Sequence, residues 1–95
     1  MGNRIPLFRH DTLTGREFVR EMTRMQMSER ELSKLTGARA RTIDRWKEEG
    51  PPFHVRLLLE LLEQPGTRKV AHTIAERHMM EEDEYREAGA REEAS

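Results

Sequence analysis

Apolar residues in this chain recur at intervals of three and four, never in sustained alternation. That is the period of helices lying against a core rather than of half-buried strands. Glycine and proline fall between the periodic stretches, where they mark helix ends. Phe18, Met22 and Met25, with Val19 beside them, form the inward stripe of a first helix running to about Gln26. Thr14 and Glu17 open it as a capping box: the hydroxyl accepts from the Glu17 amide and the carboxylate reaches back. Ser28 and Glu31, in "SERE", repeat that signal. The second helix carries Leu32 and Leu35 inward and stops at Gly37. A third spans roughly 40–49, with Ile43 and Trp46 inward, and ends at Gly50-Pro51-Pro52. A fourth, about 53–64, assigns Phe53, Leu57, Leu58, Leu61 and Leu62 to the core. A fifth, from 67 to about 86, is thinly apolar, with Val70, Ile74 and Met79 on one side and Ala71 and Ala75 adjacent. The first 13 residues read as an irregular arm with an apolar knot at Ile5, Leu7 and Phe8, and the last eight have the composition of a disordered tail.

The pattern therefore predicts an all-α fold, a compact four- to five-helix bundle. It divides into an arm (1–13), a helical body (14–65), a C-terminal helix (66–87) and a tail (88–95). With 35% hydrophobic and 37% charged residues among 95, the core must be small. There is no cysteine, hence no disulfide and no thiolate metal site. No apolar run approaches membrane-spanning length, and the N-terminus lacks a basic-then-apolar leader, which points to the cytoplasm. The net charge of −1 hides an asymmetry: residues 1–69 carry 14 Lys and Arg against 10 Asp and Glu, whereas residues 70–95 carry 3 against 8. A basic body with an acidic end suggests an anionic partner for the body.

Much of the positive charge sits in "LTGARARTIDRWKEEGPP", residues 35–52. Two short helices meet there at "TGA", with small Ser33 where they would cross. The inner face takes Leu32, Ala38, Ile43 and Trp46. The outer face of the second helix keeps Ala40, Arg41, Asp44 and Arg45, with Arg39 at its entrance and Lys47 on its flank. That is a helix-turn-helix plan, in which the second helix enters the DNA major groove.

"MSERELSKLTGARARTIDRWKEEGPPFHVRLLLELLEQ", residues 27–64, resembles the helix-turn-helix of the lambda repressor/Cro-like (XRE-type) superfamily. It is similar above all to short phage, antitoxin and anti-CRISPR-associated repressors. It departs from the family pattern at Ser33, in place of an alanine, at Ala38, in place of a larger aliphatic, and at Arg39-Ala40, where relatives keep a capping Ser or Thr. The resemblance implies a sequence-specific binder of double-stranded DNA, a homodimeric repressor on an inverted repeat. Carried over to this sequence, the base readers are Ala40, Arg41 and Arg45. Arginine matches guanine O6 and N7, and alanine can touch a thymine methyl. Asp44 would orient Arg45 or accept from a cytosine amine. Arg39, Thr42 and Lys47 would contact phosphate, and Ser28 with the start of its helix would add a backbone amide. The fifth helix is expected to pack on the fourth and help form a two-fold interface. Glu81–Glu84 are expected on the face opposite Arg41 and Arg45, because anions repel phosphate.

Other chemistry finds little support in the chain. Trp46 could stack on a base, but its spacing from Ile43 places it in the core. His72 and His78 are six apart, and His78 with Glu81 makes only a pair, so no metal and no cofactor is expected. No nucleophile elbow, P-loop or paired-carboxylate arrangement occurs, so an enzyme is not expected. Two other readings use the same fold: an antitoxin or interaction module working through the acidic C-terminal segment, and a small phage DNA-packaging or excision factor.

Overall fold

Thr14 and Glu17 form their reciprocal cap, with Thr14 Oγ1 accepting from the Glu17 amide at 3.1 Å and Glu17 Oε1 from the Thr14 amide at 2.9 Å. The computed structural model describes residues 7–80. From this cap the chain enters α1 (Gly15–Arg24), followed by α2 (Glu29–Thr36), α3 (Ala40–Glu49), α4 (Phe53–Leu62) and α5 (Thr67–Arg77). No strand occurs among the described residues. No helix there is long and apolar enough to cross a membrane.

α1 ends two residues earlier than its apolar stripe suggests. Gln26 takes a positive φ of 52°, the amide of Gln26 bonds the Thr23 carbonyl, and that of Met27 bonds the Met22 carbonyl. This is a Schellman closure, and it folds the residue after the turn back onto the helix. Met27 is thereby buried, while Met25 is only half-buried. The sequence reading placed the inward methionine at 25 because it extended the helical period through the turn. Val19, also assigned to the inner side, is exposed.

The core is Phe18, Met22, Met27, Leu32, Ile43, Trp46, Val55, Leu59 and Leu62. Phe18 and Trp46 meet edge to face, centroids 6.1 Å apart and planes at 88°, a favoured aromatic geometry. α1 lies against α3 with little room. A Cβ on Gly15 would stand 2.2 Å from the carbonyl oxygen of Lys47, so only glycine permits this approach.

α4 is rotated from expectation. Val55, Leu59 and Leu62 are buried, Phe53 and Leu58 half-buried, and Leu57 and Leu61 are 48% and 51% exposed. "VRLLLELL" is apolar at almost every position, so its period defines no face. The entry at buried Pro51 and the shared core that takes Val55, Leu59 and Leu62 choose it instead.

Leu7 and Phe8 are exposed and form no knot; Ile5 lies outside the described residues. The arm is nevertheless tied down. His10 stacks on Phe53 at 4.2 Å, Thr12 Oγ1 donates to the Pro51 carbonyl at 2.6 Å, and Arg56 donates to the Asp11 carbonyl at 3.1 Å.

α5 contributes no buried residue. It packs on both α2 and α4 rather than on α4 alone, with Ala71 against the core and Thr67 Oγ1 donating to the Leu61 carbonyl at 2.6 Å. It closes at His78. The expected continuation to 86, the Glu81–Glu84 run and the tail from 88 lie outside the described residues.

Candidate nucleic-acid interface

The connection between α2 and α3 is three residues long, and hydroxyls hold it. Gly37 closes α2 with φ 77°. Ser33 Oγ donates to the Ala38 carbonyl at 2.7 Å. Thr36 Oγ1 donates to the Leu32 carbonyl at 2.8 Å and accepts from the Ala38 amide at 3.1 Å. Ser33 thus does more than save space at a crossing: its hydroxyl satisfies a carbonyl that a tight turn would otherwise strand. Arg39 occupies the N-cap of α3 without a side-chain cap bond.

α3 then divides cleanly. Ile43 and Trp46 are buried, whereas Ala40, Arg41, Asp44 and Arg45 are exposed. Arg41 and Arg45 are one turn apart on the solvent side. Neither has a hydrogen bond or ion pair among the described residues. Asp44 also has none there, so it does not hold the Arg45 guanidinium as expected. Adjacent helix residues point about 100° apart, which keeps the two side chains on separate bearings. Thr42 and Arg39 are half-buried. Ser28 Oγ is occupied by the Glu31 amide at 3.0 Å. Lys47 is ion-paired across to Glu29 in the first turn of α2, at 2.5 Å. That carboxylate also faces the positive end of the α2 dipole, so Lys47 offers less net charge than its position suggests.

A polar cluster that the sequence reading did not find fastens α5 to α2 and to the end of α1. Glu31 caps nothing with its side chain. Its Oε2 accepts from Arg68 Nε at 2.6 Å and lies 2.8 Å from His72 Nε2, while its Oε1 pairs with the second arm of the same guanidinium. Arg68 also donates to the carbonyls of Met25 (2.8 Å) and Gln26 (3.2 Å) at the end of α1. One cation therefore serves a carboxylate and the electronegative end of a helix together. The Arg68 hydrogen bonds, with a smaller one from His72, hold the Glu31 carboxyl down to about 2, although partial burial pushes the other way. A signal for this existed. Arg68 and Lys69 stand in the first turn of α5, with no acid there, where the helix dipole disfavours cations. A local rule broken in this way implies a tertiary partner.

Further along, Lys34 pairs with Glu76 at 2.7 Å. α2 and α5 flank an open groove of about 1240 Å³, lined in part by Ser33, Lys34, Leu35, Gly37, Met79 and Met80. Among the described residues, no three His, Asp or Glu side chains gather where they could hold a metal ion. No family model, curated protein or solved structure matches this chain.

Proposed function

We propose that this protein binds double-stranded DNA sequence-specifically, with α3 in the major groove, and acts as a dimeric, non-enzymatic repressor. One observation carries the reading. The second helix of a helix-turn-helix presents Arg41 and Arg45, four apart and exposed, without partners among the described residues. A guanidinium held this way can donate to guanine O6 and N7, and two of them one turn apart span neighbouring base pairs. Ala40 and Asp44 complete the reading face. Ser28, Arg39, Thr42 and Lys47 flank it as phosphate-contact candidates, which position without specifying.

Selection of bound sites from a random duplex pool, followed by titration, tests this. Arg41→Ala and Arg45→Ala should each cost about 1–3 kcal/mol on the selected site and little on random duplex. Equal losses on both would reduce the arginines to phosphate contacts. No enriched site at all would remove the function.

A second reading, a protein-interaction module such as an antitoxin, is favoured by the apolar stripes that the fold leaves uncovered. These are Leu57 and Leu61 on α4, and Val70 and Ile74 on α5. In the DNA-binding reading the same stripes supply the two-fold contact. Light scattering separates the two: Leu61→Glu should convert a dimer to a monomer if the stripe is self-complementary, and should leave the mass unchanged if its partner is another protein.

A further inference from the structure

Two acids stand in the first turn of α2, and their side chains go different ways. Glu31 is turned to α5, where Arg68 and His72 hold it. Glu29, two positions earlier, reaches the flank of α3 and holds the Lys47 ammonium at 2.5 Å. Both partners line a shallow recess of about 440 Å³, together with Met27 and Ser28. Lys47 and Ser28 are two of the four phosphate-contact candidates. An anionic side chain thus shares a recess with two groups that would serve a phosphate.

We propose that Glu29 limits the affinity for DNA: its carboxylate occupies the Lys47 ammonium in the free protein and must give it up when a duplex docks. The proposal rests on the DNA-binding reading above. The pair has two opposed effects. It steadies a long, flexible side chain, which favours a phosphate contact. It also neutralises the cation, which opposes one. Magnitude decides for the second. Ordering by a partly solvated ion pair is worth little, whereas phosphate binding is driven by the counterions that a protein cation releases from DNA. A cation already neutralised by its own protein contributes little of that release. The exchange is physically open, because 33% of the Lys47 side chain and 48% of that of Glu29 face solvent. Phosphate can approach the one, and water can take the other. Lys47 therefore anchors DNA weakly, and residence on a site falls more heavily to Arg41 and Arg45.

The experiment titrates the full chain and its variants with a random-sequence duplex between about 0.05 and 0.3 M salt. Glu29→Gln should bind about fivefold more tightly near 0.15 M, with a salt slope steeper by about one. Lys47→Ala should cost the parent about twofold or less, because the contact it removes is already weak. The same change in the Glu29→Gln background should cost about tenfold and return the slope to the parent's value. Glu60→Gln removes the same charge and unpairs Arg56 on α4; it should leave affinity within about twofold, which separates the local effect from net charge. Unfolding midpoints should agree across the set, since a surface ion pair contributes little to stability. Equal losses from Lys47→Ala in both backgrounds would show that Glu29 does not withhold the cation from DNA, and would overturn the proposal. So would weaker binding by Glu29→Gln, which would make the carboxylate a support for Lys47, and so would an equal gain from Glu60→Gln. If neither the parent nor any variant binds duplex at any salt, the competition falls together with the DNA-binding reading beneath it; in every other failure the duplex still binds.

Discussion

α3 and α5 are helices of nearly equal length, attached by opposite means. α3 buries Ile43 and Trp46 and sets an indole edge-on against Phe18. α5 buries nothing fully and is held by the Arg68–Glu31–His72 cluster, the Lys34–Glu76 pair and the half-buried Ala71. Apolar attachment is indifferent to pH and strengthened by excluded salts. Ionic attachment at a partly solvated surface is screened by salt and titrates. One small fold thus contains a body and an appendage that respond to different variables, and the appendage carries the acidic end of the chain.

The comparison can be broken first at the core. Trp46→Ala should destabilise the whole fold by about 3–5 kcal/mol, measured by denaturant unfolding. For a domain this small that approaches the total. A lesser effect is expected from Gly15→Ala, whose Cβ would meet the Lys47 carbonyl at 2.2 Å; forcing α1 away from α3 should cost about 1–3 kcal/mol. Neither change should spare α5, because α5 has no core of its own.

The appendage is expected to answer differently. Arg68→Ala should loosen α5 by about 1–2 kcal/mol, kept modest because a third of that side chain faces solvent. Hydrogen exchange should accelerate in 67–77 while protection in α1 and α3 persists. Acid should do the same without mutation. The Glu31 carboxyl titrates near 2 in the folded protein against an ordinary 4.5. Its stabilisation is therefore complete above about pH 4.5 and drains away as pH falls towards 2. Glu31→Gln should abolish that segment of the pH profile; an unchanged profile would mean that α5 is held by packing after all. The smallest effect belongs to the turn: Ser33→Ala removes the bond to Ala38 and should cost about 0.5–1.5 kcal/mol, read from the same unfolding curves.

Helix number and most boundaries were legible in the sequence because caps and stops are local chemistry. Thr14, Ser28, Gly37 and Gly50 each act within a few residues of themselves. The solvent face of α3 was legible for a related reason, since two apolar residues on a short helix fix its rotation. The face of α4 was not, because five leucines within six residues, 57–62, fit several rotations and only the tertiary context selects among them. Met27 was missed because a Schellman turn breaks the period that was being followed. The role of Glu31 was missed because a capping-box pattern offered the carboxylate a satisfying local partner, when the stronger donor lay 37 residues away.

The close contact at Gly15 has a mechanical side. It presses α1 against the Lys47 carbonyl, at the far end of α3 from the turn, and the arm ties Pro51 just beyond with Thr12. The opposite end, where Ala40 and Arg41 stand, is joined to α2 by three residues and a few hydroxyl bonds. α3 is thus built like a cantilever, clamped at its root and loaded at its tip. A small rotation at the root would be magnified at the tip. Substitutions around Gly15, at the other end of α3 from Arg41, can therefore re-aim that arginine without altering it.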